Sequence, residues 1–222
     1  MPGVGWRPRL FAAPLLALFA GLSAGNASAA ETAPHAPRIG VHVEVNTPPL
    51  TIHERSGPLL PRGVSGARRL GGLALLELSM LAEYDMTLVS YSSGESLFWV
   101  AGIRLTLAYR NPEVYIAGRY SKESCEYRSV RDHEDEHVAA DREVVKSFAE
   151  RMESALRAGD WPTYNNPRPA SSMEEGRAET AARLEALIWP IFDELKQRRR
   201  EVRLALDSEE NYQRTHQQCA SR

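Results

Sequence analysis

The sequence predicts an α+β domain: antiparallel strands with a hairpin come first, and two long helices follow. Two observations carry this expectation. Runs of β-branched and aromatic residues, several alternating with period two, fill the chain up to Tyr120, and long stretches rich in Ala, Glu, Arg and Leu follow. Strands gathered before helices, not interleaved with them, define that class. With 43% hydrophobic and 25% charged residues in 222, the composition is globular and allows one sizeable core. A net charge of -2 excludes the strongly basic surface that nucleic-acid binding requires.

Residues 1–29 read as a cleaved signal peptide. Arg7 and Arg9 form its positive start, Leu10 to Leu22 its apolar segment, and Ala27-Ser28-Ala29 its small-x-small cleavage site. The apolar segment falls short of the roughly 20 residues that span a bilayer. A periplasmic or secreted chain without stable membrane insertion is therefore expected. Residues 30–38, rich in Pro and Ala, read as a flexible leader, and residues 39–222 as a single domain.

Ile39 to Asn46 alternates Val41, Val43 and Val45 against His42 and Glu44, the pattern of a half-buried strand. Pro48-Pro49 ends it, and Leu50 to Glu54 returns as a short second strand. His42 and His53 read as surface residues. Gly57 to Gly72 reads as a loop. Leu73 to Met86 is open between strand and helix, because a short apolar run does not reveal its period. Thr87 to Tyr91 reads as a strand stopped by Ser92-Ser93-Gly94. Leu97 to Tyr109 and Val114 to Tyr120 read as two arms of a hairpin that turns at Arg110-Asn111-Pro112-Glu113.

The stretch from Ser124 to Ala158 lacks Pro and Gly and predicts a helix. At about 100° per residue, Val130, Val138, Val145, Phe148, Met152 and Leu156 fall within an arc of roughly 80°, which marks the buried stripe. His133-Glu134-Asp135-Glu136-His137 matches H-E-x-x-H, in which two His ligands one turn apart flank a Glu base. His133, Glu134 and His137 lie on or beside the stripe, whereas Asp135 and Glu136 point away from it. The chemistry suited to this trio is zinc-assisted hydrolysis: the metal acidifies a bound water and Glu134 takes its proton. Asp141, one turn beyond His137, reads as a solvated side chain or an outer partner; it is not the third ligand, because positions i and i+8 stand about 12 Å apart.

After a loop over Gly159 to Ser172, Ser172-Met173-Glu174-Glu175 is a capping-box start for a second helix towards Leu206. Leu184, Leu187, Ile188, Ile191 and Leu195 form its apolar face, and Pro190 is expected to kink or divide it. Lys196 to Arg200 reads as a solvated face.

With these features the sequence resembles the predicted secreted zinc-dependent proteases of bacteria, a family of small H-E-x-x-H proteins. The resemblance rests on strands ending in EVYIAGRY, on CEYRSVRDHEDEHV, on the second helix and, more weakly, on Tyr212-Gln213-Arg214-Thr215-His216. It implies a zincin-like domain, zinc held by His133 and His137, Glu134 as catalytic base, and a peptide or protein substrate. The charges at Asp135 and Glu136 depart from the usual pattern. They support an alternative: an exported module that binds a metal or a partner without catalysis, its H-E-x-x-H degenerate.

The two cysteines, Cys125 and Cys219, are expected to form a disulfide in an oxidising compartment. So long a loop is worth about 4 to 5 kcal/mol in the chain-entropy model. The bridge would bring an extended tail back beside the main helix, and His216, three residues before Cys219, could then reach His133. The expected metal set is His133, His137 and His216, with Glu209, Glu210 and Asp207 as poorer third ligands.

Overall fold

The computed structural model describes residues 5–6, 39–55 and 71–220; the side chains at 5, 6, 212, 215, 216, 218 and 220 are not among them. The expected leader, most of the loop before Gly72 and all of the expected signal peptide but Gly5 and Trp6 therefore lie outside the described residues; those two pair parallel with Leu81 and Ala82.

A mixed sheet carries two long helices on one face. In chain order its strands are β1 (Gly5–Trp6), β2 (Gly40–Asn46), β3 (Thr51–Arg55), β4 (Gly72–Ser90), β5 (Ser96–Ala117) and β6 (Arg168–Pro169). The helices are α1 (Cys125–Ala158), α2 (Met173–Leu206) and α3 (Glu209–Ala220). β4 and β5 form one long antiparallel hairpin. Its turn is Tyr91–Glu95, closed by Tyr91 N–H donating to the Glu95 carbonyl at 2.8 Å, and Gly94 supplies the positive φ of 88° that the turn needs. The ambiguous run Leu73 to Met86 is thus strand, continuous with Thr87 to Ser90.

The expected hairpin at Arg110 to Glu113 is not there. β5 runs straight through those residues, and the partner register jumps from Leu75↔Glu113 to Glu77↔Arg110. Asn111 and Pro112 together stand opposite Leu76, which makes the site a β-bulge. Asn111 takes a φ of 44°, and Pro112, which has no N–H to give, sits where the ladder is interrupted anyway. Turn-forming residues here bend a strand without reversing it.

The edges differ from expectation too. β2 and β3 do not pair antiparallel; both lie parallel to β5, β2 along residues 102–108 and β3 along 113–117. A strand of 22 residues is long enough to hold the two short strands end to end on one edge, and Pro48-Pro49 separates them. α2 also runs unbroken through Pro190. Pro190 is on the exposed side, where the carbonyl at Ala186, also exposed, can turn to water for its missing partner.

Alternation along the strands sends Met80, Ala82 and Tyr84 of β4 and Ile103, Leu105, Leu107 and Tyr109 of β5 to one face. They pack against Val145, Ala149, Met152 and Leu156 of α1 and Leu184, Ile188, Ile191, Phe192 and Leu195 of α2. A smaller cluster of Val114, Ile116 and Val138 sits nearer the start of α1 and underlies the H-E-x-x-H turn. Among the described residues, no helix is long and apolar enough to cross a membrane.

Candidate metal centre

α1 begins where the sequence places it. Ser124 is the N-cap, its hydroxyl oxygen accepting from Tyr127 N–H at 3.0 Å. From there the 3.6-residue period carries Glu134 and His137 inward with Val138; Glu134 is 4% exposed and His137 8%. Glu136 stays in solvent, and Asp135 pairs along the helix with Arg131 at 2.9 Å.

The third group comes from the junction of α2 and α3. Asp207 caps the end of α2, and its Oδ1 lies 2.9 Å from His137 Nε2 and 3.5 Å from His133 Nε2. The two imidazole Nε2 atoms are 3.2 Å apart. For zinc bonds of about 2.0 to 2.1 Å, tetrahedral ligand atoms stand about 3.3 Å apart. The three separations bracket that value, so the side chains present fit such a group. Among the described residues, His133, His137 and Asp207 can hold a metal ion. Exposure rises from His137 through His133 to Asp207, whose side chain is 50% exposed, so the group opens to solvent on the Asp207 side.

The electrostatics follow from burial and these bonds. Partial burial works against the charge of Asp207, but the hydrogen bonds from His133 and His137 outweigh it and hold the carboxyl well below its usual range. The bond to Asp207 holds His133 above the ordinary imidazole value, against the pull of burial. Burial pushes the Glu134 carboxyl up to about 7; the nearby histidines and a hydrogen bond from the Ala74 backbone moderate the rise.

Glu134 can tuck in because β4 opens with glycine. A Cβ at Gly72 would stand 2.4 Å from Glu134 Oε1 and 2.6 Å from its Cγ. Gly72→Ala must therefore push the carboxyl out of place or move the strand. A loss of about 1 to 3 kcal/mol in denaturant unfolding is expected, typical of overpacking. Unchanged stability would mean that Glu134 does not rest on β4.

Cys125 and Cys219 form the expected disulfide, with Cα atoms 5.6 Å apart. The tail it holds is helical, not extended, and α3 packs along α1. Twelve residues separate Cys125 from His137, and twelve separate Asp207 from Cys219. At 1.5 Å per residue both arms are about 18 Å long, so antiparallel packing from the disulfide brings Asp207 level with His137. Asp207, expected to be a poorer third ligand, is the one brought to the histidines. Glu209 and Glu210 are not in the group, and the side chain of His216 lies outside the described residues. The signal for this arrangement was local: Ser208 followed by Glu209 and Glu210 is a helix start, and the Ser208 hydroxyl accepts from Asn211 N–H at 3.4 Å. His42 and His53 stay apart from the site, beside Glu44 and Glu113 respectively.

Compared with protein-family models, curated proteins and solved structures, the chain matches none of them.

Proposed function

We propose that this protein is an exported zinc-dependent metallopeptidase, with His133, His137 and Asp207 as zinc ligands and Glu134 as general base. The observation that carries this reading is the convergence of two imidazole nitrogens and a carboxylate oxygen beside a buried glutamate on the same helix turn. Zinc in such a site supplies Lewis acidity and lowers the pKa of a bound water to about 7. Glu134 takes the proton from the attacking water on its carboxylate and delivers it to the leaving amine nitrogen. Burial of that carboxyl raises its proton affinity above that of an ordinary glutamate, which suits a group that both takes and gives a proton. Gly72 and the Ala74 backbone hold Glu134 in place. The signal peptide expected from the sequence and the Cys125–Cys219 disulfide support this reading of export, since disulfides persist in oxidising compartments.

The test is metal content and cleavage in protein purified without a histidine tag. About one zinc per chain and hydrolysis of some member of a broad peptide library are expected, both lost on chelation. No stoichiometric zinc after zinc is offered would end the reading. One observation favours a second reading, a non-catalytic metal- or partner-binding module: Asp207 already hydrogen-bonds His137, so the trio needs no ion to be satisfied. Zinc bound without cleavage of any library peptide would select it.

A further inference from the structure

Of the basic run Lys196 to Arg200, expected to be a solvated face, Arg199 turns inward: its side chain is 11% exposed. Its Nε donates to Asp141 Oδ1 at 2.7 Å, and its Nη2 to Asp141 Oδ2 at 3.1 Å and to the Leu76 carbonyl at 2.6 Å. The Tyr109 hydroxyl donates to Asp141 Oδ2 at 2.7 Å, and the Arg199 guanidinium carbon lies 5.9 Å from the centre of the Tyr109 ring. Asp141, 12% exposed, is therefore neither solvated nor free.

α1, which carries the two histidines, α2, which ends at Asp207, and β4, on which Glu134 rests, meet at this guanidinium. Asp141 follows His137 by one turn of α1. Arg199 precedes Asp207 by eight residues on α2. Leu76 lies two residues beyond Ala74 on β4, the strand on which Glu134 rests. The Leu76 carbonyl is available because of the bulge, since the residues across from it are Asn111 and Pro112 and proline has no N–H to donate. Burial and the bond to Asp141 push the Tyr109 hydroxyl far up, so it stays protonated as a donor.

We propose that Arg199 is a positioning residue for the metal centre, fixing α1, α2 and β4 against one another so that His133, His137 and Asp207 converge. This rests on the metal-binding reading above. A planar guanidinium can serve two carboxylate oxygens and a carbonyl at fixed angles, which a lysine ammonium cannot reproduce. A second cross-helix pair, Arg151 with Glu194, joins the same two helices farther from the site. Both side chains are about half exposed, at 51% and 53%, which makes that pair the control.

The experiment measures zinc affinity by competition with a chromophoric chelator, and the visible absorption of the cobalt-substituted protein. It compares wild type, Arg199→Lys, Tyr109→Phe and Arg151→Ala, alongside thermal unfolding of each without metal. Arg199→Lys is expected to lose about tenfold or more in zinc affinity, the scale seen for outer partners of metal ligands, and to alter the cobalt spectrum. Tyr109→Phe should lose several-fold and Arg151→Ala nothing. Should Arg199→Lys not fold, Tyr109→Phe decides. Wild-type affinity and spectrum in the folded Arg199 and Tyr109 variants would overturn the assignment. So would an equal loss in Arg151→Ala, which would reduce the effect to helix docking in general. A wild type that binds neither metal overturns the metal-binding reading itself, a result distinct from either of these.

Discussion

Glu134→Gln is expected to lower peptide hydrolysis by about 10²- to 10⁴-fold, the usual contribution of a general base, while zinc remains bound. The same substitution is expected to stabilise the metal-free fold at neutral pH. The folded carboxyl titrates at about 7 against an ordinary 4.5, so the native state holds a proton that the unfolded chain gives up. The stability linked to that proton is fully present below about pH 4.5 and is lost as pH rises through about 7, a change of about 3 kcal/mol. Glutamine has no charge to bury and suffers no such loss. Denaturant unfolding in chelator at pH 5 and pH 8 checks this, because Asp207 and His133 titrate in both proteins and largely cancel in the difference. The variant should overtake wild type as pH rises. Parallel stability curves would show that Glu134 is not held in an apolar setting.

The second large effect belongs to the ligands. Structural zinc sites bind with about 10 to 16 kcal/mol in all, so loss of one protein ligand removes roughly 3 kcal/mol, or about a hundredfold in affinity. His137→Ala and Asp207→Ala are each expected to weaken zinc binding by about that much or more. His216→Ala should leave it near wild type. The reverse result, with zinc lost in His216→Ala and kept in Asp207→Ala, would restore the tail histidine as third ligand. Reduction of Cys125–Cys219 should weaken binding in wild type, because α3 no longer holds the end of α2 beside α1.

Much of the site could be read from sequence because it is local. Ser124 as a cap, the apolar stripe from Val130 to Leu156 and the spacing of His133, Glu134 and His137 all lie within one helix, where period fixes face. The sheet was harder. Asn111-Pro112 carries the residues of a turn, and only the partner strand, with Leu76 alone opposite them, tells a bulge from a reversal. Ser92-Ser93-Gly94, read as a strand's end, is the true turn, and the difference depends on whether Leu73 to Met86 is strand. The parallel seating of β2 and β3 depends on contacts more than fifty residues away, which no local pattern encodes. Asp207 ranks low in the sequence because an extended tail would not bring it to the histidines, and Arg199 because four charged or polar neighbours suggest solvent. Each of these misreadings concerns a residue whose role is set by a distant partner.

The matched arms of α1 and α3 constrain how this chain can change. Among the described side chains between Cys125 and His137, and between Asp207 and Cys219, most are exposed or partly exposed, and many substitutions at those positions should be harmless. A single insertion or deletion is different. It rotates everything beyond it by about 100° and shifts it by about 1.5 Å, carrying Asp207 off the histidines while the cysteines stay joined. Length is therefore fixed in these two segments more strictly than identity. Drift by substitution is open to them, and drift by gaps is closed.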